Sequence, residues 1–201
     1  MRRRFRRKLN YCYRYNCTAV IDKMSATSRT IAQLGAPVLR QIAVAVENVK
    51  APQIQELAED LFATLADTEG VGLAAPQIGE SVRMMVIASR PTPRYPSAPL
   101  MQPTLLINPS FKALSEIREK GWEGCLSIPG IRAQVPRYTK IAVSYVDSQG
   151  QSLQLTLENF IARVFQHEYD HLDGLVYLDR VENNRDIITE QEFQKLIAGG
   201  R

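Results

Sequence analysis

The only two histidines of this chain stand four residues apart in Gln166-His167-Glu168-Tyr169-Asp170-His171, an H-E-x-x-H pattern. That spacing has chemical meaning only on an α-helix, where residues four apart share a face and both imidazoles reach one metal ion. Glu168, beside the first histidine, then stands where it can touch a water on that ion. The chain must therefore form a helix here and bring a further ligand from elsewhere. The helix is legible in the sequence: from Glu158 to Leu172, the apolar residues Phe160, Ile161, Val164, Phe165 and Leu172 recur at helical spacing. The non-catalytic reading of the same motif is a pair of half-buried, hydrogen-bonded histidines.

The rest of the chain supplies mostly strands. Pro52 opens a helix in which Ile54, Leu57, Leu61, Phe62 and Leu65 fall at three- and four-residue steps, with Gly70 just beyond. Residues 70–79, Gly-Val-Gly-Leu-Ala-Ala-Pro-Gln-Ile-Gly, are too rich in glycine and proline for regular structure, and a β-like run follows from Val82 to Ala88. Pro91, Pro93, Pro96, Pro99 and Pro103 mark residues 90–104 as a loop. Strands are predicted at Leu105–Ile107, Ser115–Arg118, Ala133–Pro136 and Lys140–Val146, with Ser148-Gln149-Gly150 turning into Ser152–Leu157. Ile187–Ile197 reads as a short helix with a polar face. Strands grouped before a single central helix predict an α+β fold, with mainly antiparallel sheets packed around the metal-binding helix.

At 201 residues the chain is long enough for one globular domain with its own core. The net charge of +4 is uneven: residues 1–23 hold eight basic residues against Asp22 alone, a net +7, so the remainder carries −3. A mildly acidic body argues against a phosphate-tracking surface, and so against DNA as a partner, although the tail could hold RNA or anionic lipid. Cys125 is the one cysteine outside that tail, which excludes a disulfide scaffold and suits a reducing, cytoplasmic compartment. No apolar run is long enough to span a bilayer, and the arginine-rich start lacks the apolar stretch of a secretory signal. That start has the arginine of an organelle transit peptide without its serine, so a flexible tail and a true start at Met24 both stand as readings.

A catalytic zinc-type site needs three protein ligands and an open position, so two histidines are one short. In an H-E-x-x-H zinc endopeptidase of the metzincin type the third ligand is a histidine six residues on, where this chain has Tyr177. A thermolysin-like endopeptidase takes a downstream glutamate, for which Glu190 and Glu192 are the candidates. The remaining candidate is Cys125, in Glu123-Gly124-Cys125-Leu126-Ser127, where Gly124 permits a close backbone approach.

The segment 70–79, Glu123-Gly124-Cys125-Leu126-Ser127 and Gln166–His171 together resemble the three signature motifs of the peptide deformylases, in the family's order. The resemblance covers essentially residues 27–198, and divides the chain into a basic, disordered extension, 1–26, and a catalytic domain, 27–201. It implies a metal-dependent amidase that removes the formyl group from the N-terminal formyl-methionine of nascent polypeptides. By that resemblance Cys125, His167 and His171 hold one divalent ion, iron(II) first, with zinc, nickel or cobalt also suited to the ligands. Glu168 is then the general base and acid, and the Gln77 side chain with the Leu126 backbone N–H stabilises the oxyanion. The Gly72 backbone pairs with an extended peptide. Val71, Phe160 and the stem of Arg163 surround the methionine, with Arg132 near the pocket mouth. The partners implied are formyl-methionyl nascent peptides and, through the segment from Ile187, the ribosome near its exit tunnel. Two residues depart from some relatives: Pro76 stands for threonine, and Arg163 for an apolar residue at the pocket rim.

Overall fold

A computed structural model describes residues 26–92 and 94–199. The basic extension up to residue 25, with Cys12 and Cys17, lies outside the described residues. Three α-helices and eight strands follow in the order α1 (Pro52–Ala66), β1 (Gly72–Ala74), β2 (Met84–Ile87), β3 (Thr104–Ala113), β4 (Arg118–Cys125), β5 (Ile128–Tyr138), β6 (Lys140–Val146), β7 (Ser152–Glu158), α2 (Asn159–Leu172), β8 (Ile187–Thr189) and α3 (Glu190–Ala198). β1-β2-β3-β6-β7 form one antiparallel sheet, and β4-β5-β8 a second.

The five-stranded sheet is covered on both faces, which explains why β2 reads as the unbroken apolar run Met84-Met85-Val86-Ile87. Alternation sorts the side chains. Met84 and Val86 join Leu105 and Ile107 in a cluster with Leu57, Leu61 and Leu65 of α1. Met85, Ile87 and Leu106 face the other way, into a cluster with Ala162, Phe165 and Leu172 of α2. Pro52 begins α1, as its position predicts, and the buried Asp60 on that helix takes Arg29 in an ion pair of 2.7 Å.

α2 is unusual in what it buries. Gln166, His167, Glu168, Asp170 and His171 are all buried polar residues, so this helix lies between the two sheets rather than on the surface. Such burial is tolerable only when each polar group finds a partner. Gln166 accepts from the Tyr138 N–H and donates to the Tyr138 carbonyl, and Asp170 takes Arg137 and Arg180.

Several predicted boundaries move. Residues 115–117 form the turn between β3 and β4, with the Ser115 hydroxyl accepting the Ile117 N–H, so only Arg118 of the predicted Ser115–Arg118 strand is extended. Residues 187–189 are a strand paired with Ile131–Ala133, and the helix predicted from Ile187 begins at Glu190, capped by the Thr189 hydroxyl accepting the Glu192 N–H. Within residues 70–79, Gly72–Ala74 pair with β2 and Ala75–Ile78 make a 3-10 turn, so this segment is more regular than its glycine and proline content predicts. No helix among the described residues is long and apolar enough to cross a membrane.

Candidate metal centre and substrate pocket

Three elements converge on one point. α2 delivers His167, Glu168 and His171; β4 ends in Cys125; the 3-10 turn after β1 carries Gln77. The Cys125 Sγ and one nitrogen of each of His167 and His171 lie within 4.8 Å of one another, and all three residues are buried. Sγ is 3.2 Å from the His171 Nε2. Ligand bonds near 2.3 Å to sulfur and 2.0–2.1 Å to nitrogen, at tetrahedral angles, set those two atoms about 3.5 Å apart. The donor set therefore fits one metal ion with a small adjustment, and its buried thiol and imidazoles match the chemistry of borderline-soft divalent ions.

Hydrogen bonds aim these donors. The Glu123 Oε2 lies 2.9 Å from the His167 Nδ1, which turns the opposite ring nitrogen inward. Glu123 is itself held by two bonds from Arg137, at 2.9 and 3.0 Å, and one from Arg163 at 2.9 Å. Burial opposes its charge, but Arg137 and His167 outweigh burial and hold its carboxyl far below the usual range. Burial pushes the Cys125 thiol up, but His171 and His167 outweigh it and leave the thiol well below its ordinary value. The Gln77 Nε2 and the Ser127 N–H, each 3.4 Å from Sγ, also favour the thiolate. Burial likewise opposes charge on His167, yet Cys125 and Glu123 hold its pKa well above that of free imidazole.

Two groups on α2 break the partner rule: the His171 Nδ1 is buried without a hydrogen bond, and so is the Oε2 of the Glu168 carboxyl. Glu168 has its pKa lifted by burial to about 7 against the opposing pull of His167 and His171. It fits because residue 72 is glycine: a Cβ there would lie 2.5 Å from Oε1 and 2.7 Å from Cγ. Gln77 is oriented by the Ala74 N–H, which donates to its Oε1 at 2.8 Å and leaves the NH2 group turned toward Cys125.

A pocket opens beside these groups, lined by Gly70, Val71, Gly72, Gln77, Leu126, Phe160, Arg163, Val164, His167 and Glu168 together with Arg94, Tyr95, Trp122, Glu123 and Gly124. It thus brings together every residue singled out from the sequence for catalysis or substrate contact except Arg132. Arg132 does not stand at the mouth: it is fully buried behind the wall, bonded twice to Glu190 and lying over the rings of Tyr95 and Phe193. Arg163 does not reach across the pocket either, since its guanidinium is held by Glu123 and the carbonyls of Glu119, Gly121 and Val135. Glu190 and Glu192 are no metal ligands, being paired with Arg132 and Lys195.

Sequence reading missed Glu123, Arg137, Asp170, Arg94, Tyr95 and Trp122. Glu123 stands two residues before Cys125, but its orientation depends on a strand the sequence did not show and on an irregular β4–β5 register between the two residues. Arg94 and Tyr95 sit in a proline-rich loop whose path no periodicity encodes.

Comparison with known proteins agrees with this geometry. Residues 28–186 match the family model described as polypeptide deformylase. Peptide deformylase 2 of Nostoc sp. is 53% identical over 168 residues, 84% of this chain and 94% of that protein. Peptide deformylase 1 of Bordetella pertussis is 44% identical over 153 residues, 76% of this chain and 87% of that protein. The Met-Ala-Ser-bound crystal structure of the class I type b peptide deformylase from Acinetobacter baumannii superposes with a TM-score of 0.75 at 37% identity, covering 78% of this chain and 100% of that one. An actinonin complex of a peptide deformylase from Synechococcus elongatus gives 0.70 at 33% identity, covering 84% and 89%. With its fold, its Cys-His-His cluster and these matches in agreement, the chain belongs to the peptide deformylase family of hydrolases.

Proposed function

We propose that residues 27–201 act as a deformylase on formyl-methionyl nascent peptides, with Cys125, His167 and His171 holding one divalent ion. The observation that carries this reading is Glu168: a buried carboxylate with an unpartnered oxygen, pressed against Gly72 beside two imidazoles and a thiol. Iron(II) is the ion proposed, since a thiolate with two imidazoles suits it; zinc, nickel and cobalt suit the same donors. A bound divalent ion supplies Lewis acidity and brings a ligated water towards a pKa of about 7.

The chain's own groups do the rest. Glu168, with its pKa raised to about 7, accepts a proton from the attacking water and returns it to the departing methionine nitrogen. As the formyl carbon becomes tetrahedral, its oxygen gains charge. The Gln77 Nε2, already turned toward Cys125, and the Leu126 N–H at the pocket wall stabilise that charge, and removing one such donor costs about 2.7–4 kcal/mol of transition-state stabilisation. The Gly72 backbone pairs with the peptide as an added strand, while Val71, Phe160 and the stem of Arg163 receive the methionine side chain. The compartment is cytoplasmic, and the segment from Ile187 is the proposed contact with the ribosome near its exit tunnel.

The test is formate release from formyl-Met-Ala-Ser under anaerobic iron(II) loading, wild type against Glu168→Ala. The expected loss in kcat is about 10²–10⁴-fold. A wild type without activity refutes the assignment; equal activity in the two proteins refutes the role of Glu168.

A further inference from the structure

One charged group in the pocket has no task in the chemistry above. Arg94, on the crossing between β2 and β3, lines the pocket beside Tyr95 and is only half-buried. Its Nε is nevertheless enclosed and without a hydrogen bond. The other arginines at this wall each bond a carboxylate, which Arg94 does not: Arg163 bonds Glu123 and backbone carbonyls, Arg137 bonds Glu123 and Asp170, and Arg132 bonds Glu190 while its Nη1 stays unbonded. Enclosing a guanidinium donor without an acceptor is costly unless something arriving at the site supplies one.

The position of Arg94 says which part of a substrate that is. Its Nη2 lies over the Gly124 backbone, 2.6 Å from where a Cβ on that residue would be, and the Tyr95 hydroxyl donates to the Gly124 carbonyl at 3.4 Å. A substrate held with its formyl group at Cys125 and its methionine among Val71, Phe160 and the stem of Arg163 offers no anion at either place. The carboxylate nearest in charge, Glu190, is bonded to Arg132 and acts on Arg94 only through space. The chain beyond the methionine is the part of a substrate that brings a carboxylate to bond Arg94, and a planar guanidinium is the group best shaped to take one.

We infer that Arg94 reads the charge of the peptide that follows the formyl-methionine, accepting an aspartate or glutamate side chain there and disfavouring lysine. This rests on the proposed deformylase activity and adds a substrate preference to it. The preference is electrostatic at a partly solvated site, so acidic peptides should exceed basic ones in kcat/KM by about fivefold to tenfold, less at high salt.

The experiment compares C-terminally amidated formyl-Met-Asp-Ser, formyl-Met-Ala-Ser and formyl-Met-Lys-Ser, with the same substitutions at the third residue, in wild type, Arg94→Gln and Arg94→Glu. The readout is the ratio of acidic to basic kcat/KM, so a change in overall rate does not obscure it. The expected ratio exceeds one in wild type, approaches one in Arg94→Gln and inverts in Arg94→Glu. A wild type that deformylates the alanine peptide but shows no charge preference at either position overturns the inference and leaves the activity standing. A preference that survives both substitutions, or that appears only in free-acid peptides and so belongs to the chain-end carboxylate, also overturns it. A wild type inactive on every peptide removes both readings together.

Discussion

Replacing Gly72 with alanine tests how closely Glu168 is positioned, without touching a metal ligand. The three heavy atoms nearest an added Cβ all belong to Glu168: Oε1 at 2.5 Å, Cγ at 2.7 Å and Cδ at 2.9 Å. Ordinary contact between such atoms lies near 3.5 Å, so something must yield by about 1 Å. β1 resists moving because Gly72, Leu73 and Ala74 are paired with Ile87, Val86 and Met85 across the sheet. The carboxylate is the softer element, and a displacement of about 1 Å in a proton-transfer group costs roughly 10²-fold in rate. At 1.36 kcal/mol per factor of ten, that is about 2.7 kcal/mol of barrier. The assay is kcat for formate release at matched metal content, with Tm measured alongside. The expected result is a loss of about 10²-fold in kcat with full metal occupancy. If β1 shifts instead, the cost appears in stability, about 1–3 kcal/mol for overpacking. A variant with wild-type kcat and wild-type Tm refutes the argument that glycine is required here to admit Glu168.

Glu123→Gln leaves His167 without its carboxylate partner, Arg163 without its anion and Arg137 with Asp170 alone, so metal affinity should fall about 10–100-fold in a chelator competition. Unchanged affinity would show that Glu123 does not orient the ring. Glu190→Gln addresses the pair beneath the pocket wall. Arg132 and Gln194 depress the Glu190 pKa, so the stability it contributes is fully present above the ordinary glutamate value and lost as pH falls through the depressed one. Thermal melts between about pH 6 and pH 3 should show this loss in wild type and lack its share in Glu190→Gln. At neutral pH the variant strands a buried arginine and should be less stable, at the low end of about 3–5 kcal/mol because Glu190 is partly solvated. Parallel acid limbs for the two proteins would contradict the linkage.

What the sequence revealed of this site and what it hid divide along local and long-range lines. The helix carrying His167, Glu168 and His171 was legible because its apolar residues recur locally, and so was the capped start of α1 at Pro52. β4 was not, since Lys120-Gly121-Trp122-Glu123-Gly124-Cys125 has two glycines and two charges where strand propensity expects β-branched residues. Those glycines serve close approach: a Cβ at Gly121 would meet the Arg163 guanidinium at 2.8 Å, and one at Gly124 would meet Arg94. The start of α3 was readable from Thr189-Glu190-Gln191-Glu192, a cap with its glutamate three residues on, yet the preceding apolar Ile187 and Ile188 obscured it. Arg132 was misplaced for another reason. Arginine in a sequence suggests surface, and nothing local announces that Glu190, far along the chain, will bury it.

The same division explains the ring of buried charge around the site. In this chain the helix supplies two of the proposed metal ligands and β4, in the three-stranded sheet, supplies the third, so the donor set exists only if α2 and β4 meet in one registration. An apolar interface between them would be non-directional and tolerant of small slides. Instead Arg137 spans Glu123, which holds His167, and Asp170, the residue before His171. Arg163, one turn earlier on α2, reaches back to Glu123 and to the carbonyls of Glu119 and Gly121 on β4. Each bond has a direction, so a slide of an ångström breaks several at once. As a source of stability this network is poor, because several desolvated ions cost about as much as their attraction returns. Its value is registration: it clamps the helix to the strand on either side of the donor atoms, and it keeps the Cys125 sulfur within bonding reach of the imidazoles.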